Sequence, residues 1–232
     1  SIFVLLAVAA LLGTAALFVA ARRTTLPESG RETRHLMRSV RNQWPIILTG
    51  IGVVGATGFV WNGFFNFYVR YLTTTKGVSF GEAQTMLTLI FAAGVPAFFF
   101  TGRLADRVPR VPLMLVVLIS FVATLVAITF VQGVFAIVAV SLVMGYVIHS
   151  LFPTIDTYLL DSLPDEDRSS AYSMYSATMM LIGAGASVVV GTLVETGYAF
   201  DTVYRVFAGF LVVVFLVLLG LRWANRLPDA AR

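Results

Sequence analysis

Two amide side chains lie inside one of the long apolar stretches of this sequence. Asn62 and Asn66 are four residues apart and Arg70 follows four residues later, which places all three on one face of a helix. Amides that face a water-filled cavity can hydrogen-bond the hydroxyl or carbonyl groups of a small solute, and Trp61 and Phe65 would give that cavity apolar walls. The alternative is that the amides bond neighbouring helices, as is common in membrane bundles.

A second polar face occurs further along the chain, in the stretch MGYVIHSLFPTID. Tyr146, His149, Pro153 and Asp156 follow one another at intervals of three, four and three residues, which again marks one helix face. An imidazole titrates near neutral pH when unperturbed, so His149 and Asp156 are candidates for carrying a coupling proton. Tyr146 and His149 are also candidates for contacting the solute. The alternative is that His149 and Asp156 lie wetted near the cytoplasmic end of the helix and have no role.

The elements that must position these side chains are membrane-spanning helices. Hydrophobic residues make up 58% of the 232 residues and charged residues 12%, whereas soluble domains have about half and about a quarter. A spanning helix needs roughly 20 apolar residues. Segments of this kind lie near 2–20, 45–71, 82–101, 111–131, 133–152, 171–194 and 202–223. The sequence therefore predicts an all-α membrane protein with seven transmembrane helices, and a very tight turn between the fourth and the fifth.

Basic residues are distributed unequally between the loops, which predicts the orientation of the chain. Lys and Arg concentrate on the cytoplasmic side of spanning proteins. When the loops are assigned alternately to the two sides, one side receives thirteen basic residues and the other receives only three, among them Lys76. The loops at 22–43, 102–110 and 162–168 and the C-terminus are therefore predicted to face the cytoplasm. Because this orientation accounts for the net charge of +4, nucleic-acid binding is not predicted.

Several kinds of chemistry lack the residues that they require. The sequence has no cysteine, which excludes disulfides, thiolate metal sites and cysteine nucleophiles. Its two histidines, His35 and His149, lie far apart, and the H-E-x-x-H and G-x-S-x-G motifs do not occur. No nucleotide-binding G-x-x-x-x-G-K-[ST] motif occurs either. The sequence therefore predicts neither an enzyme nor an ATP-driven pump, and it predicts no metal and no cofactor.

A cluster of charge occupies the short turn TGRLADRVPR, between the third and fourth apolar segments. Gly102 is followed after three residues by Asp106 and Arg107, and Arg110 comes three residues after Arg107. This spacing resembles the G-x-x-x-D-R-x-G-R signature of the major facilitator superfamily, with Pro109 in the place of the second glycine. The stretch LLDSLPDEDRSSAYSM is also similar to the link between the tenth and eleventh helices of that family.

The resemblance covers essentially the whole chain and implies its domain organisation. Residues 1–21 correspond to the sixth helix of a twelve-helix fold, 22–43 to the cytoplasmic central loop, 44–224 to the six-helix C-terminal half, and 225–232 to a cytoplasmic tail. The six helices are then expected to form two three-helix inverted repeats, with a solute site near the midplane. We expect most of the N-terminal half of the fold to be missing from this sequence.

The function that the resemblance implies is transport of a small solute by alternating access. Such a protein would be a multi-pass permease of the plasma membrane with a cytoplasmic C-terminus, working as a symporter, an antiporter or a facilitative carrier. Its partners would be the solute, the lipid bilayer, the N-terminal half and a coupling proton or sodium ion. The alternative is a membrane receptor or scaffold of the same fold that transports nothing, because a fold does not fix a function.

In this family the charged turn latches the cytoplasmic side of the protein when the outside is open. A glycine lets helices approach closely, a carboxylate is favoured at a helix N-terminus, and arginines bind carboxylates with two hydrogen bonds. The resemblance assigns this gate to Gly102, Arg103, Asp106, Arg107, Arg110, Asp161 and Arg168. The alternative is that the arginines only set the orientation of the chain.

The segment 171–194 combines small residues with Tyr and Met side chains. Gly183, Ala184, Gly185 and Ala186 favour close packing of this helix against its neighbours. The Tyr and Met residues at 172–180 can contact an apolar solute, although packing in the core is the preferred interpretation.

Replacing Asp106 with Asn is expected to shift the balance between the inward-open and outward-open states. The amide has the same shape as the carboxylate but carries no charge, so the latch would lose its ionic partner. The balance is measured by the labelling rates of single cysteines introduced near either end of the helices, which the natural absence of cysteine permits. If the labelling rates do not change, the charged turn sets only the orientation of the chain in the membrane.

Overall fold

The structure is a computed structural model that describes residues 2–23, 44, 48, 51–162 and 165–224. These residues form seven α-helices and one π-helical turn. In chain order they are α1 (Ile2–Arg23), the π turn (Ile51–Gly55), α2 (Ala56–Thr75), α3 (Phe80–Ala105), α4 (Arg110–Phe130), α5 (Val134–Ser162), α6 (Asp165–Glu195) and α7 (Phe200–Trp223). α1 belongs to one compact unit, and the helices from α2 to α7 belong to another. The predicted central loop from residue 24 onward and the predicted tail at 225–232 lie outside the described residues.

Five helices of the described chain are long and apolar enough to cross a membrane. The apolar spans are Phe80–Ala105, Val111–Phe130, Val134–Thr154, Tyr172–Glu195 and Phe200–Trp223. They confirm a multi-pass, all-helical membrane protein. The other two predicted spans are α1 and α2. α2 is less apolar because Asn62, Asn66 and Arg70 interrupt it. α1 has the shorter apolar stretch Leu11–Ala20.

Local sequence signals account for two of the helix boundaries. α3 begins with a capping box, in which the Ser79 hydroxyl accepts a hydrogen bond from the Glu82 N–H and the Glu82 carboxylate accepts one from the Ser79 N–H. Between α4 and α5 the chain turns at Gly133, whose φ of +80° lies in the left-handed region that glycine adopts without strain. This is the very tight turn that the sequence predicts.

α3 and α5 approach each other closely enough for backbone to meet backbone. A Cβ atom on Gly145 of α5 would overlap the backbone of Ile90 on α3. One turn further on, a Cβ on Gly94 of α3 would lie 2.7 Å from the His149 ring. Nearer the end of α3, Thr101 donates a hydrogen bond of 2.8 Å to the Ser150 hydroxyl. Small residues permit this approach, which helices in lipid need because no hydrophobic force draws them together.

α2 lies among α5, α6 and α7. A Cβ on Gly63 would lie 2.9 Å from the Val190 side chain of α6 and 3.1 Å from the Phe207 ring of α7. On another side of α2, the buried Tyr68 hydroxyl shares a hydrogen bond of 2.6 Å with the Ser141 hydroxyl of α5. The helix that carries the two predicted solute-binding amides is therefore anchored to three neighbours.

A polar cluster joins the C-terminal end of α2 to α4 and α7. Tyr71 donates a hydrogen bond of 2.6 Å to the Asp201 carboxylate, which lies 3.9 Å from the Lys76 ammonium. Lys76 also donates to the Thr129 carbonyl at 3.0 Å, and Arg205 donates to the Thr129 hydroxyl at 3.0 Å. Burial lowers the pKa of Lys76, and the neighbouring Asp201 carboxylate opposes that shift. Three helices are thus held together at this end by hydrogen bonds and charge.

Replacing Gly145 with Ala is expected to lower the free energy of unfolding by about 1–3 kcal/mol, because the new methyl group would force α5 away from Ile90. Thermal unfolding of the purified protein in detergent measures the change. Gly185→Ala is the matched control, since a Cβ at Gly185 would meet no described atom within 4 Å and alanine favours a helix. Equal stability of the two variants would contradict the close α3–α5 contact.

Candidate functional site

A cavity of about 520 Å³ lies between α2 and α6, with one side chain of α5 at its edge. From α2 it is lined by Gly58, Trp61, Asn62 and Asn66, and from α5 by Phe152. The α6 wall consists of Tyr172, Tyr175, Ser176, Met179, Met180, Gly183, Ala184 and Ser187. The size lies within the range of small-molecule sites, and the wall combines amide, hydroxyl and aromatic side chains, so the cavity is the candidate functional site.

The two predicted asparagines both line the cavity, and each uses one amide N–H within the protein. Asn66 donates a hydrogen bond of 2.7 Å to the Ser187 hydroxyl of α6. Asn62 donates one of 2.8 Å to the Gly58 carbonyl of its own helix, and a Cβ on Gly183 of α6 would lie 3.0 Å from its amide nitrogen. Among the described residues, neither Oδ1 atom accepts a hydrogen bond. Asn66 therefore both bridges two helices and lines the cavity, whereas Asn62 lines the cavity and bonds only its own helix.

Trp61 is the central aromatic residue of the cavity wall. Its ring is buried and packs against the Phe65 ring with centroids 5.3 Å apart. Phe65 does not line the cavity, because it lies behind Trp61 and packs edge-on against Phe91 of α3 at 4.8 Å. Phe65 therefore supports the position of Trp61 and does not itself form a wall.

His149 lies next to the cavity within a group of aromatic rings. Its ring is 6.0 Å from that of Trp61 and 6.3 Å from that of Phe152, both of which line the cavity. Its Nδ1 atom is 2.6 Å from the Gly145 carbonyl. Because a carbonyl can only accept, Nδ1 must carry the proton in this bond. His149 is thus held one layer behind the cavity wall.

The structure places one further predicted residue away from this wall. The Tyr146 side chain is 37% exposed and does not line the cavity. The side chain of Asp156 lies outside the described part of the structure. Of the six residues predicted to bind solute, three line the cavity, namely Trp61, Asn62 and Asn66.

The cavity residues of α6 were assigned to core packing by the sequence analysis. Their positions, from Tyr172 to Ser187, recur at intervals of three and four residues and so form one stripe of the helix. The stripe was visible in the sequence, because aromatic, thioether and small side chains follow one another along this face. The sequence does not show which helix lies opposite this stripe, and in the structure that helix is α2.

The cavity wall carries no charged side chain among the residues that the structure describes. Its polar groups are amides and hydroxyls, and the rest of its surface is aromatic, thioether or aliphatic. Arg70, which continues the face of Asn62 and Asn66 by one turn, does not line the cavity. No group of three or more His, Asp or Glu side chains in the described ranges is arranged to hold a metal ion.

The charged turn lies at the end of α3. The Asp106 N–H donates to the Gly102 carbonyl at 3.3 Å, and the Arg103 guanidinium lies 4.3 Å from the centroid of the Phe99 ring. Asp106 and Arg107 are exposed and form no ion pair with any described residue. A Cβ on Gly102 would meet no described atom within 4 Å, so the close approach expected there is not made within this part of the chain. The side chains of Arg110, Asp161 and Arg168 lie outside the described part.

Comparison with known proteins gives one family and two similar structures. Residues 51–231 match the family described as the Major Facilitator Superfamily. No curated protein matches the sequence significantly. Two crystal structures of a mutant of the peptide transporter POT, one in complex with sulfate and one with alafosfalin, share the fold with TM-scores of 0.70 and 0.69 and 19% identity. The similarity covers 80% of this chain and 39% and 40% of those chains, so this chain spans about two fifths of their length.

Proposed function

The chain belongs to the Major Facilitator Superfamily, and on that premise we propose that it forms one half of a secondary transporter for a small organic solute. The observation that carries the proposal is the cavity between α2 and α6, which the predicted residues Trp61, Asn62 and Asn66 line. A transporter of this kind binds its solute near the midplane and exposes it to either side in turn.

The packing of the helices supports two inverted repeats, one from α2 to α4 and one from α5 to α7. The principal contacts pair α3 with α5, α4 with α5, α2 with α6 and α4 with α7. If the two repeats are exchanged, the pair α2–α6 becomes α5–α3, and the pair α4–α7 is unchanged. Two repeats related by a twofold axis in the membrane plane would share these pairs, whereas α4–α5 becomes α7–α2, which is a smaller contact.

The same proposal assigns the remaining parts of the chain. α1 would be the sixth helix of a twelve-helix protein, residues 22–43 the cytoplasmic central loop, and 225–232 a cytoplasmic tail, with the whole in the plasma membrane. Asp106 and Arg107 are exposed at the end of α3, so both are accessible to a partner helix from the N-terminal half. With Gly102, Arg103, Arg110, Asp161 and Arg168, they would form the cytoplasmic gate.

We propose that solute movement is coupled to a proton, and that His149 is the residue that couples them, with Asp156 further along the same helix. His149 contacts two residues of the cavity wall, so a change in its charge acts directly on the solute site. A receptor or scaffold of the same fold has no specific observation in its favour.

The experiment that tests this function is reconstitution of the full-length protein into proteoliposomes. Uptake of a panel of labelled solutes is measured with and without an imposed pH gradient. We expect at least one solute to accumulate, and to accumulate faster with the gradient. If no solute moves in either direction, and the labelling of single cysteines shows only one state, the transport function is wrong.

Replacing both Asn62 and Asn66 with Ala is expected to weaken binding of the transported solute while the protein still folds. The lost interhelical bond from Asn66 to Ser187 costs about 0.6 kcal/mol, whereas the solute would lose both amide groups of the cavity wall. Binding is measured by titration calorimetry with the solute identified in proteoliposomes. Ser120→Ala is the control, since Ser120 bonds only the Val116 carbonyl of its own helix, outside the cavity. If the affinity for the solute does not change, the two amides do not contact the solute.

Replacing His149 with Gln is expected to abolish the response of uptake to the pH gradient. The glutamine amide is a donor that can still bond the Gly145 carbonyl, but it does not titrate between pH 5 and 8. Uptake is recorded over this pH range for the variant and the parent protein. A pH profile that survives the substitution would show that another group carries the proton.

A further inference from the structure

We propose that the solute of this cavity is an apolar organic cation, that is, a molecule with one positive charge on an aromatic or bulky aliphatic body. This inference rests on the proposed transport function and adds the chemical class of the solute. It depends on which atoms of the α2, α5 and α6 side chains face the cavity.

Aromatic rings from three helices line the cavity. Trp61 comes from α2, Phe152 from α5, and Tyr172 and Tyr175 from α6. The face of such a ring is electronegative, so it attracts a cation that lies within about 6 Å, and Trp does so most strongly. The same rings offer a large apolar surface to the body of a solute.

The asparagines of the cavity wall keep their acceptor atoms unused. One N–H of Asn62 donates to the Gly58 carbonyl and one N–H of Asn66 donates to the Ser187 hydroxyl, and their Oδ1 atoms accept no hydrogen bond from described residues. Amide oxygens are acceptors and cannot bond an anion. The polar part of the α2 wall is therefore suited to an ammonium group or another donor.

Nothing on the described wall would compensate a buried negative charge. Burying an ion is costly unless it is paired and hydrogen-bonded, and no Lys or Arg of the described residues lines the cavity. Arg70 is the nearest basic residue along α2, and it is exposed beyond the cavity. An anionic solute of the same size would thus lose its hydration without gaining a partner on this half of the protein.

Met179 and Met180 add a soft, adaptable surface to the aromatic one. Unbranched thioether side chains adjust to irregular shapes and make favourable contacts with aromatic groups. Met179 and Met180 therefore allow this cavity of about 520 Å³ to accept solutes of different shapes. The recognised feature is therefore the charge and apolar bulk of the solute and not one particular shape.

The test compares two ions of the same shape and opposite charge. Tetraphenylphosphonium and tetraphenylborate are titrated into the full-length protein in lipid nanodiscs, with triphenylphosphine oxide as a neutral third probe. Empty nanodiscs give the contribution of the lipid, which is subtracted for each probe. We expect saturable binding of the phosphonium at least about tenfold tighter than that of the other two. Equal or tighter binding of the borate or the neutral oxide would overturn the inference.

Variants then locate the binding in the cavity. Trp61→Leu is expected to weaken phosphonium binding about three- to tenfold, whereas Trp61→Phe keeps an aromatic face and most of the affinity. Phe67→Leu is the matched control, since Phe67 is an aromatic residue of α2 that packs against the Phe200 ring and does not line the cavity. An equal loss in Trp61→Leu and Phe67→Leu would overturn the assignment to this cavity.

A second substitution keeps the inference testable if the Trp61 variants do not fold. Asn66→Asp places a carboxylate at an exposed position of the cavity wall. It should raise phosphonium affinity about tenfold and lower borate affinity. An unchanged ratio of the two affinities would contradict the inference.

Failure of the inference differs from failure of the transport function. If proteoliposomes accumulate a neutral or anionic solute and the phosphonium does not bind, the solute class is wrong and the transport function stands. If the phosphonium binds saturably in the cavity and no solute crosses the membrane in any assay, the solute class stands and the transport function is wrong.

Discussion

The absence of water around the helices is the constraint on which the rest of this structure depends. A polar group in hydrocarbon must find its partner within the protein, since an unsatisfied one costs several kcal/mol. The hydroxyls of the described helices follow this rule by bonding carbonyls of the preceding turn, as Thr57 does with Val53 at 2.7 Å and Ser120 with Val116 at 2.7 Å. Among the described residues, the Tyr204 hydroxyl is the one buried side-chain group that has no partner.

The same constraint decides how the helices hold together. In lipid the approach of two helices depends on close van der Waals packing and on hydrogen bonds between them. Gly145 allows close van der Waals packing against Ile90. The Thr101–Ser150 and Asn66–Ser187 pairs provide hydrogen bonds between helices. The cavity forms where α2 and α6 carry side chains that do not fill the space between them, so the candidate site is a local exception to the packing that surrounds it.

The sequence predicted an all-helical membrane protein because long apolar segments report on the bilayer. It also put Trp61, Asn62 and Asn66 together, and these three residues line one cavity. Periodicity does not state which helix lies opposite a given face. For this reason the stripe on α6 was interpreted as core, and Phe65 and Tyr146 were placed in a wall that they do not form.

The polar cluster of Tyr71, Lys76 and Asp201 has a mechanical consequence for any motion of these helices. To separate α2 from α7 at this end, the 2.6 Å bond to Asp201 would have to break, and to separate α2 from α4, the bond from Lys76 to the Thr129 carbonyl would have to break as well. At the opposite end, α2 begins at the π turn Ile51–Gly55, whose Val53, Val54 and Gly55 are buried. Because the polar cluster fixes one end of α2, any tilt of this helix would displace the end at the π turn most and would have to break its packing there.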